Sequence, residues 1–167
     1  MTDDVSDIAT YYSSDPERER SRLEQHQLEH GLTWRYLHQY LPSRGSVLEI
    51  GAATGAYTLE LAKQGYTLTS VDLSLTLLDE CRRHIVEERL GNRVRFVVAD
   101  ARDLSQITET GFDVALLMGP LYHLVEETDR VAALKAVSDR LREGGIVFPS
   151  FISRFGIMGD LLKDIPG

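Results

Sequence analysis

The sequence predicts an open, doubly wound α/β domain with five mostly parallel strands, preceded by a helical cap. Three observations carry that prediction. Short apolar runs alternate with amphipathic segments from Ser46 onward. The first run closes on a glycine-bearing loop, Gly51-Ala52-Ala53-Thr54-Gly55. The second and third runs close on aspartates, Asp72 and Asp100. Near-continuous apolar strands separated by helices indicate a parallel sheet covered on both faces.

The first run, Val47-Leu48-Glu49-Ile50, reads as a buried strand ended by glycine. Thr54 to Gln64 has helical character, with Leu59, Leu61 and Ala62 turned inward and Gly65 as the stop. Thr67 to Val71 is a second strand closing on Asp72. Ser74 then suits the N-cap of a helix with Leu78, Cys81, Ile85 and Val86 on one stripe, stopped by Gly91. Val94 to Ala99 is a third strand, and Phe112 to Met118 a fourth. Thr128 is set to cap a helix carrying Val131, Leu134, Val137 and Leu141. Gly144-Gly145 is expected to break it before a fifth strand over Ile146 to Phe151.

Ahead of Ser46 the character changes. Asp15-Pro16 is a helix-start pair, and the charged, amphipathic stretch to Leu41 carries Leu23, His30, Trp34, Leu37 and Leu41 at roughly helical spacing. Gly31 is expected to interrupt it. The division predicted is a helical cap over 1–45 and a nucleotide-binding domain over 46–167.

Bulk properties limit the function classes. The chain has 167 residues, 43% hydrophobic and 26% charged, as in an ordinary globular domain. No apolar stretch reaches the ~20 residues of a membrane span. An acidic, polar N-terminus and a single cysteine, Cys81, point to a reducing, cytoplasmic setting. The net charge of −8 and the dispersed basic residues argue against a nucleic-acid substrate.

In open α/β sheets the ligand lies beyond the carboxyl ends of the strands, where the topology switches. The Gly51–Gly55 turn occupies that position. Glycine there allows positive φ and close backbone approach, and the next helix directs free N–H groups at the ligand. The dinucleotide fingerprint wants three glycines at places held here by Gly51, Ala53 and Ala56, so it fails twice. A phosphate-binding loop needs a closing Gly-Lys-Ser/Thr, which is absent from the sequence.

The loop resembles motif I of the class I S-adenosylmethionine-dependent methyltransferases: an acid two residues before the first glycine, then G-x-x-x-G. Glu49, Gly51 and Gly55 match, and Ala53 replaces the family's frequent middle glycine. The resemblance extends over roughly Val47 to Phe151. It implies a Rossmann-like fold and S-adenosylmethionine as cofactor, held by Glu49, Gly51, Ala52, Ala53 and Gly55. It further implies Asp72 on the ribose hydroxyls, Leu73 packed on adenine, and the Asp100 carboxylate and Ala101 N–H on the adenine edge. Met118 and Gly119 would flank the methionine moiety. The implied reaction is displacement of a sulfonium methyl by an O, N or C nucleophile of a small molecule. RNA or protein as acceptor, and a binding module without turnover, remain as alternatives.

Such a reaction needs alignment and water exclusion more than an acid or base. Two readings of His123, in Gly119-Pro120-Leu121-Tyr122-His123, therefore stand: a proton acceptor for the substrate, or a structural histidine. Tyr122 either lines the pocket or packs. Tyr11 and Tyr12 are candidate lid residues, whose ring faces would favour the cationic sulfonium. His26, His30 and Trp34 share a helical stripe, which reads as packing rather than as a metal site.

Sixteen residues follow Phe151, enough for a short helix over about 156–163. The family's last two strands are not among them. The expectation is a truncated chain, or one whose fifth-strand edge is covered by a partner such as a second copy.

Overall fold

The computed structural model describes residues 4–17 and 27–153. Eleven elements follow in order: α1 (Ser6–Ser13), α2 (Gln27–Tyr40), β1 (Ser46–Ile50), α3 (Ala56–Lys63), β2 (Thr67–Asp72), α4 (Leu75–Glu87), β3 (Val94–Val98), β4 (Phe112–Leu117), α5 (Pro120–His123), α6 (Glu127–Ser138) and β5 (Leu141–Pro149). The sheet order is β3-β2-β1-β4-β5. Every neighbouring pair is parallel. The chain winds outward from β1 to β3, then returns so that β4 pairs with the other side of β1. That reversal opens a crevice at the carboxyl end of β1.

Both faces of the sheet are apolar, which is why the strands read as continuous hydrophobic runs. Leu48, Ile50, Ala115 and Leu117 face a core that includes Ala133 and Val137 of α6. Val47, Val114 and Leu116 face the opposite core with Leu37, Tyr57, Leu61, Cys81 and Ile85. The Ser74 cap forms as its sequence position implies, its Oγ accepting from the Leu77 N–H at 3.2 Å. Gly55, at φ +87°, is the N-cap of α3, so the helix starts at Ala56 and not at Thr54.

Four local expectations are corrected. Gly31 does not interrupt α2. A Cβ there would meet nothing within 4 Å, so the glycine costs the helix about 1 kcal/mol of propensity without breaking its ladder. Val86 is exposed, and Leu77 takes its place on the buried stripe of α4. On α6, Val131 (57% exposed) and Leu134 face outward, while Asp129, Ala133 and Val137 at i, i+4 and i+8 are buried. An ion pair from Asp129 to Arg102 draws that polar face inward. Finally, Leu141 ends no helix: it opens β5, and Gly144-Gly145 lies inside the strand. Phe112 pairs with Leu141 and Val114 with Ile146, so the ladder shifts register between them. Gly144 takes φ +70° within that bulge, a backbone that favours glycine.

Of the predicted N-terminal helix, Pro16 and Glu17 are helical; residues 18–26, with Leu23 and His26, lie outside the described residues, as does the predicted helix over 156–163. No helix among the described residues is long and apolar enough to cross a membrane.

Candidate functional site

The crevice contains a cavity of about 750 Å³, within the range of small-molecule and cofactor sites. Its wall is built from every strand end the sequence singled out. Gly51, Ala52 and Ala53 come from the loop after β1, Asp72 and Leu73 from the end of β2, and Asp100 and Ala101 from beyond β3. Met118, Gly119, Tyr122 and His123 come from the β4 end and α5, and Tyr12 from α1. Residues separated by more than a hundred positions thus meet at one concave surface.

The loop is fixed by its backbone. The Gly51 and Ala52 N–H groups both donate to the Val71 carbonyl, at 2.9 and 3.0 Å. Gly51 has φ +82°, and a Cβ on it would lie 2.4 Å from the Met118 carbonyl oxygen, so the loop lies tight against the end of β4. Ala53 also adopts positive φ, +49°, where the middle glycine of the motif would sit without strain. Asp72 is oriented by two backbone donors. Its Oδ2 accepts from Ala53 N–H and its Oδ1 from Ser74 N–H, each at 2.9 Å.

Three predicted residues do not line the cavity. Tyr11 is 54% exposed. Successive residues on a helix point about 100° apart, so when α1 turns Tyr12 inward it turns Tyr11 away. Gly55 faces Cys81, whose Sγ would lie 2.2 Å from an added Cβ. Glu49 lies beneath the loop, only 1% exposed. Its Oε2 accepts from the Thr58 hydroxyl at 2.5 Å and the Ser70 hydroxyl at 3.4 Å. Burial pushes its carboxyl up to about 7, against the opposing pull of those hydroxyls, with the nearby Asp72 charge adding to the rise. Glu49 therefore ties β1 to α3 and β2 under the loop.

At the other end of the cavity, the Tyr12 hydroxyl and His123 Nε2 are 3.0 Å apart, their rings edge to face. The Tyr122 ring lies 4.7 Å from that of His123. Ser13 Oγ meets Ser74 Oγ at 2.7 Å, attaching α1 to the start of α4. His30 and Trp34 form a packed cluster: Trp34 Nε1 donates to His30 Nε2 at 3.0 Å, and His30 stacks on Tyr57. Among the described residues no group of three or more His, Cys, Asp or Glu side chains is arranged to hold a metal.

Sequence reasoning missed several participants. Ser150 accepts from the Gly119 N–H at 3.2 Å, and Val5, just before α1, lines the cavity beside Tyr12 with Ile8 and Ala9 of α1. Ile8, Ala9 and Tyr12 follow helical spacing, a signal legible once α1 is recognised as a helix. Arg102 and Asp129, behind Asp100, carried no local signal.

The fold and the site together define a nucleotide-cofactor transferase. The methyltransferase domain family matches residues 47–145, more than half of the chain. The chain belongs to the class I S-adenosylmethionine-dependent methyltransferases. It is 30% identical to the cypemycin N-terminal methyltransferase of a Streptomyces species over 70% of this chain and 45% of that one. It is 32% identical to the carboxy-S-adenosyl-L-methionine synthase of Aliivibrio salmonicida (strain LFI1238), over 76% of this chain and 53% of the relative. The DhpI–SAH complex shares the fold, with a TM-score of 0.69 at 23% identity, over 83% of this chain and 64% of that one. The chain spans about half the length of the curated relatives it matches.

S-adenosylmethionine is the family's cofactor, and the cavity fits it in size and chemistry. Two carboxylates stand at adjacent strand ends, an apolar wall of Leu73, Leu77 and Ala101 suits a flat base, and a tight glycine turn faces the switch point.

Proposed function

We propose that this chain transfers a methyl group from S-adenosylmethionine to an oxygen, nitrogen or carbon nucleophile of a small molecule. The observation that carries the reading is the single cavity shared by the loop after β1, the acids after β2 and β3, and the aromatic residues of α1 and α5. When bound, the cofactor supplies a methyl group already activated by a sulfonium.

The chain's own residues then have three tasks. Asp72, oriented by the Ala53 and Ser74 N–H groups, takes the ribose hydroxyls. Asp100 and the Ala101 N–H take the adenine edge, with Leu73 against its face, and Gly51, Ala52, Met118 and Gly119 flank the methionine end. Tyr12, Tyr122 and His123 border the acceptor. Tyr12 closes over the cofactor and keeps water out. His123 takes the proton that a hydroxyl or amine acceptor must lose, relayed through the Tyr12 hydroxyl, which lies 3.0 Å from its Nε2: Tyr12 passes its own proton to Nε2 and takes up the acceptor's. The net charge of −8 favours a small acceptor over nucleic acid. We further propose that the outer edge of β5, which no strand among the described residues pairs with, pairs with a second copy of this chain, which size-exclusion chromatography tests: a stable monomer sinks that part.

A thermal-shift series with S-adenosylmethionine, S-adenosylhomocysteine and NAD tests the cofactor reading. The first two are expected to stabilise the protein, and Asp72→Ala to remove the shift. Stabilisation by NAD alone refutes the reading. Binding without turnover across an acceptor screen supports the alternative, a cofactor-binding module.

A further inference from the structure

Behind Asp100 runs a chain of charges that no part of the methyl transfer uses. The Arg102 guanidinium reaches back two residues to both carboxylate oxygens. Nε lies 3.0 Å from Oδ1 and from Oδ2, and Nη2 lies 2.6 Å from Oδ2. The Arg102 backbone N–H also donates to Oδ1, at 2.8 Å. On its far side, Nη1 donates to Asp129 Oδ2 at 2.7 Å. Asp129 sits on the inner face of α6 with a side chain only 6% exposed. Asp100 lines the cavity; Arg102 and Asp129 do not.

Apolar packing does not account for this arrangement. A carboxylate is costly to bury unless it is paired and hydrogen-bonded, yet α6 turns Asp129 inward while leaving Val131 outside. A single carboxylate rotates about its last torsion and offers either oxygen in many directions. A planar guanidinium fork holds it in one plane, and lysine, a point charge, would not. Asp129 in turn limits where the fork can sit. Of the three residues only Asp100 lines the cavity, so the orientation of its carboxylate is what a ligand there meets.

We propose that Arg102, anchored by Asp129, is a positioning residue for base selectivity. It holds the Asp100 carboxylate in the plane that accepts from a 6-amino purine and repels a 6-oxo purine. The proposal rests on the assignment of Asp100 to the adenine end made above, and extends it to two residues off the cavity wall.

Calorimetric titration of the full chain with S-adenosylhomocysteine and its deaminated analogue, S-inosylhomocysteine, tests it. The unmodified protein is expected to prefer the adenine compound on the order of 10- to 100-fold, the scale of one hydrogen bond to a charged group. Arg102→Lys removes the fork but keeps a charge. The double variant Arg102→Met/Asp129→Leu removes the guanidinium together with the buried carboxylate that anchors it. In each, the preference is expected to fall to within about 3-fold, because the lost hydrogen-bond geometry is what separates the bases. A preference retained in either folded variant overturns the proposal, as does failure of both variants to fold, which would assign the pair to stability alone. Equal binding of both compounds by the unmodified protein overturns the Asp100 assignment and the proposal with it. Binding of neither overturns the cofactor reading itself, so the levels of failure are separable.

Discussion

Replacing Glu49 with glutamine removes a carboxyl that folding moves from water to a site 1% exposed. Its ordinary value is 4.5, and burial raises it to about 7. An acid with a raised folded pKa binds a proton on folding, so its penalty is absent below about 4.5, grows between 4.5 and 7, and is complete above 7. A rise of that size corresponds to a full penalty of about 3 kcal/mol. Most of that penalty develops between pH 5 and pH 8, on the order of 2–3 kcal/mol. Glu49→Gln keeps the shape and the capacity to bond Thr58 and Ser70, but does not ionise. Urea unfolding of both proteins at pH 5, 6, 7 and 8 should therefore show the variant gaining on the wild type as pH rises, by roughly 2–3 kcal/mol over the range. The comparison cancels the other titrating groups. Parallel curves, or a variant that loses ground with rising pH, would refute the reasoning about Glu49.

Two further outcomes follow from the packing around the same loop. Gly55→Ala should destabilise the protein by about 1–3 kcal/mol, because φ +87° is strained for alanine and the new Cβ would meet Cys81 Sγ at 2.2 Å; thermal unfolding within 0.5 kcal/mol of wild type would contradict it. Cys81 should resist thiol reagents at pH 8 while the protein is folded and react fully in denaturant. Burial, assisted by the Glu49 charge, pushes its thiol up to about 12, and the thiolate is the reactive form; rapid labelling of folded protein, followed by mass spectrometry, would count against its burial.

Much of this protein was legible in the order of its residues. The apolar runs that became β1 to β4, the Ser74 cap and the acids closing β2 and β3 are local signals, because a strand buried on both faces must be apolar throughout and a cofactor at a switch point must meet strand ends. The family, and with it the cofactor, follow from Glu49 to Gly55 together with Asp72 and Asp100. Local reading failed where a distant partner overruled propensity. Gly144-Gly145 reads as a break, yet pairing with β4 carries the strand through it as a bulge. Val131 and Leu134 read as core, yet Arg102 recruits Asp129 and turns α6 the other way. Glu49 matches the motif, but its side chain points below the loop, since alternate residues of a strand face opposite sides. Sequence spacing carries no trace of the Tyr12–His123 approach across 111 positions, or of the Arg102–Asp129 pair across 27. Such pairings exist only after the sheet has brought its strand ends together, so they belong to the tertiary structure.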